Sequence, residues 1–185
     1  MAIKSLPSQE VLRQLLRYEP DTGKLFWKKR SLNFFKGTQA RSKEHACAHW
    51  NARHAGKEAL IGTSLGYRWG RILGTPYLAH RIIWVLSVGS EPNMIDHING
   101  DRSDNRISNL RSVTSAQNGK NHGMNKNNSS GFKGVSWVER DQRWMAYITC
   151  DRKRVSLGHH KCPTAAHLAY CRASFALHGE FARCQ

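Results

Sequence analysis

Residues 119–130 read GKNHGMNKNNSS, a stretch of asparagine, glycine, serine and lysine around a single apolar side chain, Met124. Such a composition buries too little apolar surface to offset the entropy of ordering it. The chain is therefore expected to fold as two modules, 1–118 and 131–183, joined by an Asn-rich linker at 119–130. At 185 residues it has room for one ordinary domain or two small ones.

Ahead of the linker, Ser8 is placed to cap a helix whose apolar face is Val11, Leu12, Leu15 and Leu16. Pro20-Asp21-Thr22-Gly23 stops that helix with turn chemistry, and Leu25-Phe26-Trp27 reads as a short strand. Residues 28–62 are basic and show no period that assigns them. Two glycine-punctuated apolar stretches, 67–73 and 76–79, suggest a hairpin. From His80 the spacing turns helical, with Ile82, Ile83, Val85 and Leu86 forming a stripe that ends near Gly89. An extended or looped segment follows, and a short helix from about Ser115 carries Asn118.

Beyond the linker, 132–138, 144–150 and 154–157 read as three strands, with turns at Asp141-Gln142 and Asp151-Arg152-Lys153. Thr164, after Pro163, is expected to cap a helix with Ala166, Ala169, Tyr170, Ala173 and Leu177 on one face, ended by Gly179. The fold class expected is α+β.

Lys and Arg number 29 against 13 Asp and Glu, a net charge of +16. That imbalance favours association with a polyanion through counterion release. No apolar run approaches the roughly 20 residues that span a bilayer, and the start has no unbroken apolar core of a secretory signal. A soluble, cytoplasmic protein with no membrane partner and no obligate protein partner is expected. The five cysteines form no CxxC pair, and a disulfide framework is not expected. His45-Ala46-Cys47-Ala48-His49 invites a zinc reading, but three ligands that close rarely surround one tetrahedral ion.

The segment Asp96-His97-Ile98-Asn99-Gly100-Asp101-Arg102-Ser103-Asp104-Asn105 sets a carboxylate beside an imidazole. The carboxamides of Asn109 and Asn118 stand 12 and 21 residues after the imidazole. Cutting a phosphodiester requires an activated water, neutralised phosphate charge and help for the departing oxygen. His97 suits the role of base, since an imidazole as a class titrates near neutral pH. Asp96 suits a hard divalent ion, with Asn118 as candidate carboxamide ligand and most of the shell left to water and phosphate. Asn109 is expected to brace the loop that carries His97.

With YLAHRIIW and IDHINGDRSDNRISNLRSVTSAQN, residues 77–118 resemble the HNH nuclease motif in the variant found in phage and intron-borne homing endonucleases. The lead-in PDTGKLFWKKR is similar to that of such phage proteins. The resemblance implies a β-β-metal module of two strands and a helix around one divalent ion, Mg2+ or Mn2+. Asp96 and Asn118 would be its ligands, His97 the general base and Asn109 the structural asparagine. Asn118 stands where the motif name has its final histidine.

In the second module GFKGVSW, RWMAYI, RVSLGHH and TAAHLAYCRASFALHG resemble the Apetala (ethylene-response-factor type) DNA-binding domain. That family lays a three-stranded sheet in the major groove of duplex DNA. Its contact positions fall here on Lys133, Ser136, Arg143, Tyr147, Thr149, Arg154 and Ser156, with Trp144 assigned to the interior. Ser136, Tyr147, Thr149 and Ser156 depart from the plant members, so no sequence preference carries over. The expectation is a metal-dependent DNA endonuclease working in the cytoplasm of a host cell. A non-catalytic DNA-binding protein on the same scaffold and an RNA-acting protein are its rivals.

Overall fold

Ser8 accepts a hydrogen bond from the Val11 amide at 3.3 Å and starts α1 (Gln9–Leu15), which buries Leu12 and Leu15 completely. The computed structural model describes residues 5–121, 123–125, 127–150 and 153–184. Lys126 of the expected linker and Asp151 and Arg152 of the expected turn lie outside them. The chain divides into two compact units between Ser112 and Val113. Among the described residues no helix is long and apolar enough to cross a membrane.

In the first unit β1 (Leu16–Glu19) and β2 (Lys24–Trp27) form an antiparallel hairpin around the Pro20–Gly23 turn, and β3 (Glu58–Ala59) pairs with β2. Gly23 has a φ of +69°, and a Cβ there would lie 2.6 Å from the Arg106 amide nitrogen. Only glycine lets this turn approach the 105–106 backbone. A second sheet orders β4 (Gly62–Ser64), β5 (Tyr67–Ile72) and β6 (Thr75–Leu78), with β5 and β6 making the expected hairpin. Next comes α3 (Ala79–Val88), which ends on left-handed Gly89. Its Ile82, Ile83 and Val85 join Leu12, Leu15, Leu16, Leu25 and Ile72 in one apolar core. The pair β7 (Ile95–His97) and β8 (Leu110–Ser112) completes the unit.

The stretch without a sequence assignment holds α2 (Lys43–His54), capped by Ser42 and with no buried residue. It lacks an apolar stripe, so periodicity could not find it. It is held instead through Trp50, which meets Trp27 edge-on at 5.5 Å and takes the Arg30 guanidinium 3.7 Å above its ring.

The second unit opens with α4 (Ser115–Lys120), started by a reciprocal Thr114–Gln117 capping box. A meander of β9 (Val135–Val138), β10 (Arg143–Cys150) and β11 (Lys153–His160) follows in the order β11-β10-β9, and α5 (Pro163–His178) packs on it. Val135, Ala146 and Ala166 form the core, covered by Phe132, Trp144, Leu157 and Ala169. The first strand starts at Val135 rather than 132 because Gly134 has a φ of +72° and packs against Tyr170. Cys162, not Thr164, is the N-cap of α5, leaving Pro163 at the first helical position where its missing N–H costs nothing. Residues 128–130 belong to this unit: Asn128 Nδ2 donates to the Phe132 carbonyl at 2.9 Å, and Ser130 Oγ lies 2.8 Å from the Val135 carbonyl.

Candidate active site

Both expected chemical side chains of β7 are buried, Asp96 at 7% and His97 at 4% exposure. The strand is pinned from two sides. Ile95 packs on the core, and β8 pairs with β7 so that Asp96 faces Arg111 and His97 faces Leu110. Arg111 grips Asp96 Oδ2 with a fork, Nε at 3.0 Å and Nη2 at 2.8 Å. Both bonds are charge-assisted, and the planar guanidinium fixes where the carboxylate points.

Asn109 ties the loop after His97 together. Its Oδ1 accepts from the Asn99 amide at 3.0 Å, and its Nδ2 donates to Asn99 Oδ1 at 3.0 Å and the Asp104 carbonyl at 2.8 Å. Asp101 caps its own turn by accepting from the Ser103 amide and hydroxyl. Asp104 is held by the Arg106 fork, which pulls its carboxyl down to about 2. Both carboxylates are thus taken up by loop construction.

The ring of His97 is oriented by a residue to which sequence reasoning gave no role. Asn105, 2% exposed, points Oδ1 at His97 Nε2 at 3.1 Å. This acceptor places the ring proton on Nε2 and the lone pair on Nδ1. Asn105 is positioned by hairpin β1–β2: the Tyr18 hydroxyl donates to its carbonyl at 3.2 Å and accepts from the Ile107 amide at 2.8 Å. No local pattern in the sequence marks Asn105 off from the other polar residues of the segment.

His80, on α3, meets the His97 ring edge-on at 5.2 Å, and Tyr67 leans on both. Burial, then the nearby His97 and Arg81 charges, push His80 down to about 3, so it packs as a neutral ring. Among the described residues its Nδ1 has no hydrogen-bond partner.

Asn118 lies on α4, in the second compact unit. The Asp96 carboxylate is a hard oxygen donor, the chemistry that suits a hard divalent ion rather than a thiophilic one. Among the described residues no group of three or more His, Cys, Asp or Glu could hold a metal. On α2 the rings of His45 and His49 stack at 6.4 Å, while Cys47 Sγ donates to the Arg30 carbonyl.

In the second unit, register puts Met145 opposite Ser136 on one side and His159 on the other, Tyr147 opposite Ser156, and Thr149 opposite Arg154. Paired residues of an antiparallel sheet share a face. Six of the seven expected contact residues, Ser136, Arg143, Tyr147, Thr149, Arg154 and Ser156, therefore lie on the face opposite Ala146 and Ile148, which are buried. Arg154 stacks its guanidinium 3.5 Å over the Tyr147 ring. Lys133 stands apart from the strands, half-buried, with Nζ donating to the Arg183 carbonyl at 3.0 Å. Trp144 is half-buried against the core and meets Trp137, itself 40% exposed, at 5.1 Å.

Residues 77–120 match the HNH endonuclease family, and residues 130–180 match the AP2 domain family. The chain thus carries an HNH endonuclease domain followed by an AP2 domain, a nuclease domain beside a DNA-binding one. Protein 3.8 of Escherichia phage T7 is 31% identical over 106 residues, covering 56% of this chain and 87% of the phage protein. The chain belongs to the family of that phage protein. No solved structure matches it.

Proposed function

We propose that this protein is a divalent-metal-dependent DNA endonuclease of the homing type that hydrolyses a phosphodiester in its first unit and holds duplex DNA on the outward sheet face of its second. One observation carries the reading. A buried imidazole is fixed by a carboxamide through Nε2, beside a buried carboxylate on the same short strand. His97, with its lone pair on Nδ1, takes the proton from the attacking water. Asn105 keeps the ring turned and in that tautomer, while Asn109 keeps the loop from unwinding. Asp96 would hold the ion, which when bound stabilises charge on the phosphate and the departing oxygen. Arg111 sets the Asp96 carboxylate in place.

On the sheet, Arg143 and Arg154 would contact phosphates or base edges, and Ser136, Tyr147, Thr149 and Ser156 would complete the contact. Lys133, which spends one ammonium donor on the Arg183 carbonyl, would offer its remaining donors to the duplex. A phage relative supports a protein at work in the cytoplasm of a host cell. A second reading, a DNA-binding protein that no longer cuts, is favoured by Arg111, which already neutralises Asp96 at Oδ2.

Supercoiled plasmid incubated with Mg2+ or Mn2+ tests both readings. The nuclease reading expects nicked or linear product, its formation stopped by chelator. It also expects a loss of about 100-fold or more in His97→Ala, with duplex binding retained. Wild-type protein that binds the plasmid and never cuts it leaves the second reading.

A further inference from the structure

Between Trp27 and Lys57 the chain makes an excursion that closes back on its own starting point, with Phe34 packed on the core of the first unit. The Trp27 amide donates to the Lys57 carbonyl at 2.9 Å, and the Gly56 amide donates to the Trp27 carbonyl at 2.8 Å. This closed excursion holds eight Lys and Arg against one acid, Glu44. It lies outside both segments that match known families. Among the described residues none of its cations enters an ion pair, whereas Arg81, Arg106 and Arg111 of the same unit all do.

We propose that this excursion is a second duplex-DNA contact, one that grips the phosphate backbone through Lys28, Lys29, Lys36, Arg41, Arg53 and Lys57. These six are exposed, and the excursion supplies no carboxylate to offset them beyond Glu44 in the first turn of α2. The ordinary explanation for such charge is stabilisation of the helix C-terminus, and it accounts for Arg53 alone. It does not account for the lysines before α2 or for Lys36 and Arg41. The local potential is felt by His54, which is held below its usual imidazole value first by burial and then by Arg53, Lys57, Arg30 and His49.

The excursion is also built to stay in place under load. Arg30 is 8% exposed between Trp27 and Trp50, at 4.8 and 3.7 Å from their rings. Asn51 binds both the amide and the carbonyl of Arg30, at 2.8 and 3.0 Å. A segment anchored in this way can present its cations without being drawn away by them. Uncompensated, exposed and fixed positive charge is what releases counterions from a duplex. The contact is sequence-independent, so it would add affinity and orientation rather than choice of site.

The test is the salt dependence of binding of the full chain to a random-sequence duplex, with chelator present so that no cutting intervenes. The triple variant Lys36→Gln, Arg41→Gln, Arg53→Gln should flatten the slope of log affinity against log salt by roughly 2.7, at about 0.9 per phosphate contact. A control triple, Arg13→Gln, Lys161→Gln, Arg172→Gln, should leave that slope as in the wild type. Equal slopes for the first triple and the wild type, or equal losses in the two triples, overturn the proposal. Amine-reactive labelling of the wild type gives a readout that needs no variant. Duplex DNA should protect Lys28, Lys29, Lys36 and Lys57, and unchanged labelling of these four overturns the proposal as well. A wild type that binds no duplex at all would instead remove the function proposed above.

Discussion

The loop from His97 to Asn109 and the outward face of β9–β11 are both polar, yet they spend their polarity in opposite ways. In the loop nearly every side-chain donor and acceptor is used by the loop itself: Asn99, Asp101, Asp104 and Asn109 all bond to neighbours within ten residues. His97 and Asn105 are buried. On the sheet face, Arg143, Thr149, Arg154 and Ser156 stay exposed. Chemistry on a scissile bond requires groups whose orientation is settled before substrate arrives. A surface that meets a phosphate backbone requires donors that are still available. Polar composition alone does not separate the two, since internal hydrogen bonding is what makes one rigid and leaves the other open.

The comparison can be broken most severely at the sheet's own foundation. Gly134→Ala would set a Cβ 2.1 Å from Tyr170 Cδ2 at a φ of +72°. The cost should exceed about 3 kcal/mol. The second unit should lose its cooperative melt while the first keeps its own. Calorimetry that shows two unchanged transitions would contradict the packing described.

Asn105→Ala sharpens the loop side. It frees the His97 ring to rotate, and kcat for DNA cleavage should fall about 10- to 100-fold with KM little changed. Loss in KM alone would mean that Asn105 serves DNA binding instead.

His80 offers a pH test of how tightly the same site is packed. Its folded value is about 3 against an ordinary 6.5. Between those values the unfolded chain binds a proton that the folded chain refuses. The first unit should therefore be at full stability above about pH 6.5 and lose stability as pH falls toward 3. Thermal melts of His80→Phe should show a flatter acid limb; an identical limb would assign the loss to other groups.

Smallest of all should be Arg154→Ala. Removing one exposed guanidinium from the sheet is expected to weaken duplex binding by tenfold or less, flattening the salt slope by about 0.9. A larger loss with an unchanged slope would point to base readout by Arg154.

Much of this was legible in the chain. Ser8 as a cap, the 67–78 hairpin, the helix ending at Gly89 and the short helix of Asn118 all follow from local rules of period, capping and turn chemistry, and the structure has them. The strand alternation put Ser136, Tyr147 and Thr149 on one face, because side chains alternate strictly along a strand. What escaped was whatever depends on a distant partner. Residues 43–54 show no apolar stripe because α2 is held by Trp27 and Arg30 rather than by a buried face. Asn105 has no local signal, because the group that positions it is Tyr18, 87 positions earlier, on its carbonyl. Lys133 read as a contact residue from its motif, yet its ammonium bonds to a carbonyl 50 residues away.

By itself the sequence determined which groups are present to do chemistry, a carboxylate, an imidazole and amides on a strongly basic chain, and how each short segment curls. Those properties are set by residue type and by neighbours a few positions off. Folding alone sets which amide faces the imidazole, which cation grips Asp96 and which cations are left without a counter-charge. Such pairings come from strands and loops brought together by a shared core, and sequence distance carries no record of them.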